Sequence, residues 1–289
     1  MLVATTPLSQ VLGADPKVVV LDTFVLRELM HAQKGAEPSW YQTFVDAKSS
    51  GFSFCISPYA LLELANQLKD HRITQSEFLA GVGLANKFIE ARLPVCPDWK
   101  VVLFLAGLSP TCADTVHEVA AKSKDLWDML VDPTRHSQLT AAPINTELEE
   151  TRKRHRATIG TVKTDLSGAT IDFETVSDAI LAILGSKLNL SERDSQRLRV
   201  IADLSAHFAE ASLKGTTPYN EASNRSRNDG IDRWLPFVLM LPAFLITEAK
   251  WMNIARAKSP QPWSDLVLTT AEFKRLCDAH LLPDMSTCV

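Results

Sequence analysis

The chain has 289 residues, 46% hydrophobic and 22% charged, with a formal net charge of −4 at pH 7. That length can bury a large core, as one sizeable domain or two intimate ones, and the composition excludes a disordered or fibrous protein. The negative balance excludes bulk attraction to nucleic acid, so any such binding needs a local basic surface.

At the start, Met1-Leu-Val-Ala-Thr-Thr-Pro7 lacks the basic flank and long apolar run of a secretory signal, so no leader is expected there. Lys17-Val-Val-Val-Leu-Asp22, bounded by Pro16, is a β-branched run that reads as a fully buried parallel strand ending in an acid. The spacing of Leu26, Leu29 and Met30 predicts a helix over Thr23 to Lys34, with Gly35 as terminator. A second helix is expected over about Pro38 to Ser49, ahead of Gly51, and Phe52 to Ser57 is a second strand candidate. Ser57-Pro58 then starts a helix, a capping hydroxyl followed by proline in the first turn, and Tyr59 to Leu68 continues it.

From Asp70 to about Ser223 helical segments follow one another: Thr74 to Arg92, Thr111 to Leu130, Thr146 to Arg156, Thr170 to Leu184 and Ser191 to Leu213. Val101 to Leu105 is ambiguous between strand and buried helix. The polar stretch Lys214 to Arg227 reads as a surface loop, followed by a helix over about Asp229 to Leu241. Trp234 to Thr247 is the longest apolar stretch, but Pro236 and Pro242 break it and it falls short of the roughly 20 residues that span a bilayer, so no membrane partner is expected. Within it Ala243 to Thr247 reads as a strand; Glu248 to Ala257 and Thr270 to His280 read as helices. The expected class is α/β, with a discontinuous core from 15–70 and 220–289 and a mostly helical insertion or subdomain over 71–219.

Five cysteines, Cys55, Cys96, Cys112, Cys277 and Cys288, are odd in number, spread out and free of C-x-x-C pairs. They speak against a disulfide framework or structural zinc, and for a reducing cytoplasm. The seven histidines form no H-x-x-x-H or H-E-x-x-H pair, and no P-loop, dinucleotide-binding or nucleophile-elbow motif is present.

The acids at element ends are the chemical signal: Asp22 after the first strand, Glu63 in the helix after the second, and Asp229 with Asp232 opening a late helix. In an open parallel sheet, ligands collect beyond the carboxyl ends of the strands, and acids converging there call for a cation. Mg²⁺ or Mn²⁺, held by a few carboxylates and waters, suits phosphodiester hydrolysis. Asp229 and Asp232, three apart, share one helix face and can reach one site.

These segments resemble the PIN-domain family of metal-dependent ribonucleases, whose parallel sheet is sandwiched by helices. The matching residues are Val19-Val-Leu-Asp22-Thr23, Ile56-Ser-Pro-Tyr-Ala-Leu-Leu-Glu63-Leu, Asn228-Asp229-Gly-Ile-Asp232 and Phe244-Leu-Ile-Thr247. They cover about half of the chain, the long interval between Glu63 and Asp229 being assigned to the helical insertion. The resemblance implies Asp22, Glu63 and Asp229 or Asp232 as metal ligands. A further family acid, two positions after the strand-ending Thr, is here Ala249; Glu248, one step earlier, is the candidate replacement. Thr23, Asn228, Arg225 and Arg227 flank the acids as candidate substrate contacts.

Each residue also has a plainer reading. Asp22 suits an N-cap, Glu63 can point to solvent from an otherwise apolar helix, and acids at 229 and 232 suit the positive end of a helix. Arg152-Lys-Arg-His-Arg156 can track phosphates or form a solvated face paired with Glu149 and Glu150. The leading expectation is a cytoplasmic endonuclease acting on RNA rather than DNA, of a toxin-like or defence kind, with a protein regulator or self-association through the helical part. The alternatives are a catalytically degenerate PIN-like scaffold that binds a protein partner, and an unrelated helical protein.

Overall fold

The computed structural model describes residues 6–32, 36–109, 112–139, 150, 153, 157, 160–162, 164–165, 168, 172–185, 188, 190–213, 235–259 and 261–283. Among them, four strands form one all-parallel sheet: β1 Lys17–Leu21, β2 Phe52–Ile56, β3 Ala243–Ile246 and β4 Val267–Leu268, in the order β2-β1-β3-β4. Single parallel bridges from Phe54 to Ile89 and from Ile56 to Val95 continue the sheet beyond β2. The strands read as near-continuous apolar runs because both faces are covered: Val18, Val19, Val20 and Leu21 are all fully buried.

Twelve helices are described: α1 Pro7–Leu12, α2 Thr23–Met30, α3 Tyr41–Ser49, α4 Pro58–Lys69, α5 Gln75–Ala85, α6 Trp99–Leu105, α7 Val116–Val131, α8 His136–Leu139, α9 Phe173–Gly185, α10 Glu192–Leu213, α11 Ala249–Lys258 and α12 Thr270–Asp278. The mixed α/β class thus holds, with helices dominating. One sheet face carries Phe54 and Phe244, packed against Phe44 of α3, Phe273 of α12 and Phe88 with ring centroids 5.0 to 6.0 Å apart. Such stacked and edge-on rings each add stabilisation beyond the area they bury.

Helix α2, which leaves the end of β1, packs on α5. The approach is close because Gly81 has no side chain: a methyl group there would stand 2.5 Å from Met30 Cγ and 2.8 Å from its backbone nitrogen. Backbone cannot yield as a side chain can, so Gly81→Ala is expected to cost about 1 to 3 kcal/mol by overpacking. Urea unfolding checks this, the midpoint falling while the slope stays that of the parent.

The segment read from sequence as an insertion shares the main core in part. Leu198, Ile201 and Leu204 of α10 are fully buried in the same cluster as the strands, while Val162, Val176, Ile180, Ala202 and Ala206 form a small cluster of their own. Arg197 of α10 donates from Nε to the Leu239 carbonyl at 3.1 Å and from Nη2 to the Leu241 carbonyl.

The structure decides one open reading and changes another expected element. Val101 to Leu105 lies in a helix, α6, capped by Asp98, whose side chain accepts from the Lys100 and Val101 amides. Where a helix was expected up to Leu241, Leu235–Met240 is a 3₁₀ turn. Pro242 disfavours α geometry at Leu241, and the Leu239 and Leu241 carbonyls, which at the end of a helix would have no internal partner, are taken by Arg197. The start of that expected helix, and Thr146 to Arg156 apart from residues 150 and 153, lie outside the described residues. No helix among the described residues is long and apolar enough to cross a membrane.

Candidate active site

The strand register brings Leu21, Ile56 and Ile246 level, so the next residues, Asp22, Ser57 and Thr247, form a row along the carboxyl edge of the sheet. Backbone bonds extend the ladder into that row: Asp22 N–H to Ile246 O at 3.0 Å, Ser57 N–H to Leu21 O at 2.9 Å, and Thr247 N–H to Leu268 O at 2.8 Å. From β1 the chain crosses over to β2 on one side, whereas β3 runs on to β4 on the other. The order therefore reverses between β1 and β3, and a crevice at such a switch point is where open α/β sheets bind ligands.

Four helices start at this edge. Asp22, Ser57, Glu248 and Thr269 are the N-caps of α2, α4, α11 and α12. Their amino ends place partial positive charge beside the row, which favours carboxylates and phosphates there. Asp22 Oδ1 accepts from the Thr23 amide at 2.6 Å, and Oδ2 accepts from Thr247 Oγ1 at 2.7 Å. The Thr247 bond ties the ends of β1 and β3 across 225 positions of chain.

Burial pushes the Asp22 carboxyl up from its ordinary 3.8 to about 6, against the two hydrogen bonds, which pull it down. The negative charges of Glu63 and Glu248 push it further in the same direction. Three acids from α4, the end of β1 and the start of α11 thus act on one locus. Glu63 is partly buried among the buried Leu61, Leu62, Leu64 and Ala65, and Gln67 Nε2 donates to its Oε1 at 3.1 Å. Glu248 is exposed and makes no capping hydrogen bond with its side chain, which leaves the carboxylate open to other work.

Of the remaining sequence candidates, Thr23 is buried and contributes its amide to Asp22. Asp229, Asp232, Arg225, Arg227 and Asn228 lie outside the described residues, as do Arg152, Arg154, His155 and Arg156; Lys153 is exposed. Ala249, at the position of the missing family acid, is the exposed first residue of α11.

Among the described residues, no three His, Cys, Asp or Glu side chains gather closely enough to hold a metal ion on their own. Mg²⁺ does not require that: it commonly takes one or two carboxylates, waters and substrate oxygens. Asp22 and Glu63 supply hard oxygen donors of the right kind, and to the rise that burial causes at Asp22 the charge of Glu63 adds a smaller push that a cation would oppose. In donor chemistry, though not as a closed set of ligands among the described residues, they are compatible with a hard divalent ion.

Beside this locus a surface cleft of about 610 Å³ runs along α2, lined by Phe24, Arg27, Glu28 and His31, with Pro38 and Glu248 also in its wall. None of the α2 residues in it was singled out in the sequence. The signal was available, since positions 24, 27, 28 and 31 repeat at helical spacing on the stripe left over when Leu26, Leu29 and Met30 face the core.

Comparison of the chain with known protein families, with curated proteins and with solved structures returned no match.

Proposed function

We propose that this protein is a divalent-metal-dependent endonuclease that hydrolyses phosphodiester bonds, with RNA preferred to DNA. The observation that carries the reading is the row at the sheet's switch point, where Asp22 is held by Thr23 and Thr247 within electrostatic reach of Glu63 and Glu248. The resemblance of these same segments to PIN-type ribonucleases supports it, as does the convergence of four helix amino ends where an anionic substrate would dock.

Asp22 and Glu63, with Asp229 or Asp232, would hold Mg²⁺ or Mn²⁺. A bound divalent ion supplies positive charge against the phosphoryl oxygens and an acidified water. Thr247 and the Thr23 amide orient the Asp22 carboxylate, and the helix amino ends oppose the charge that builds on the phosphate. A toxin-like or defence role, with a protein regulator acting through the helical part, extends the same proposal.

The test is cleavage of labelled RNA and single-stranded DNA in Mn²⁺, by the parent protein and by Asp22→Asn and Glu63→Gln. Strand scission by the parent that chelator stops and both variants lose supports the reading; scission that persists in both removes it. The second reading, a degenerate scaffold that binds a protein partner, is favoured by Ala249, and it expects neither cleavage nor divalent-ion uptake.

A further inference from the structure

We propose that the cleft along α2 is a subsite for unpaired nucleic acid, with Phe24 as the platform for one base and Arg27 and His31 as contacts to the adjoining phosphates. This rests on the reading of the neighbouring acids as a phosphodiesterase site and names how substrate reaches it. Phe24, Arg27, Glu28 and His31 stand at i, i+3, i+4 and i+7, so they form one stripe about 10 Å long on a single helix face. The stripe begins two residues after Asp22, and Glu248 connects the cleft to the carboxylate locus.

The order of residue types along α2 is that of a single-strand path. Phe24 is partly buried at the edge of the core, with its ring also lining the cleft, and a base freed from its partner stacks on such a ring whatever its identity. Arg27 and His31 follow one and two turns further from the acids, and both side chains are exposed. Glu28 is fixed by Trp40, whose Nε1 donates to Oε2 at 2.7 Å, and a held carboxylate accepts from a base amino group. A cleft of about 610 Å³ has room for a nucleotide.

The test separates strand binding from metal binding. Fluorescence anisotropy of short labelled RNA and DNA strands and of the matching duplex is measured in chelator, so that no divalent ion contributes. The parent is expected to bind a single strand more tightly than the duplex. Arg27→Gln is expected to bind the strand about tenfold more weakly, the equivalent of one charge-assisted contact, with the salt dependence shallower by about 0.7 in log–log slope. His31→Gln is expected to act in the same direction, and melting curves matching the parent's show that both variants are folded. Equal affinity of parent and Arg27→Gln, or a parent that prefers duplex or binds no strand at low salt, overturns the subsite. Mn²⁺ uptake distinguishes the two readings: if Asp22→Asn takes up Mn²⁺ like the parent while Arg27→Gln loses the strand, the subsite stands and the metal site falls.

Discussion

Asp22→Asn is expected to lower Mn²⁺-dependent cleavage at least a hundredfold while raising the melting temperature at neutral pH. The loss follows from removing a carboxylate that would touch the metal; changing even a residue that merely supports a metal ligand costs about 10 to 100-fold. The gain follows from linkage. Burial raises the Asp22 pKa from 3.8 to about 6, so the folded protein holds this proton more tightly than the unfolded chain does. Its stabilising effect is full below pH 3.8 and is lost as pH rises through about 6, leaving a penalty of at most about 3 kcal/mol at neutral pH. Asn carries no charge to desolvate, accepts from the Thr23 amide and keeps the carboxylate's shape. Melting curves should therefore separate variant from parent by a few degrees at pH 7.5 and coincide near pH 4. A variant that melts below its parent at pH 7.5 contradicts a desolvated carboxylate.

Arg197→Ala is expected to destabilise the protein by about 2 to 5 kcal/mol, since each of two buried carbonyls left without its donor costs about 1 to 3 kcal/mol. Arg197 is 5% exposed, serves the Leu239 and Leu241 carbonyls, and lies over the Trp263 ring with its guanidinium carbon 5.4 Å from the centroid. The Leu239 carbonyl belongs to the 3₁₀ turn and that of Leu241 to the link from it into β3, so the loss also loosens the strand that Thr247 follows. Lysine cannot replace the fork, having one point charge where two separated donors are needed. Arg197→Lys should recover less than half of the stability in urea unfolding; full recovery would show that charge alone matters at this position.

What could be read in the sequence, and what could not, follows from how local each signal is. β1 and β3 announce themselves because strands buried on both faces leave continuous apolar runs, Val18 to Leu21 and Ala243 to Ile246. The start of α4 was legible in Ser57-Pro58, a cap whose side chain does accept from the Tyr59 amide at 3.1 Å. β4 was not, because two residues, Val267 and Leu268, carry no period and gain their strand geometry only from pairing with Leu245 and Ile246. Arg197 carries no signal of its own within the expected helix Ser191 to Leu213; only the fold brings it to carbonyls more than 40 positions away.

The site divides in the same way. Asp22 could be named from its place at a strand end, Glu63 from its apolar helix and Glu248 from the family resemblance, but the Thr247 bond that joins β1 to β3 depends on register, which no single segment encodes. The α2 stripe was implicit in the buried face of the same helix, and its meaning came only from lying next to Glu248.

Uptake of Mn²⁺ by the full-length protein, followed by electron paramagnetic resonance as free ion disappears, is the most direct measurement of the central claim. The parent should bind the ion, and Asp22→Asn and Glu63→Gln should each lose most of that affinity. A parent that binds none, or variants that bind as it does, would contradict the account.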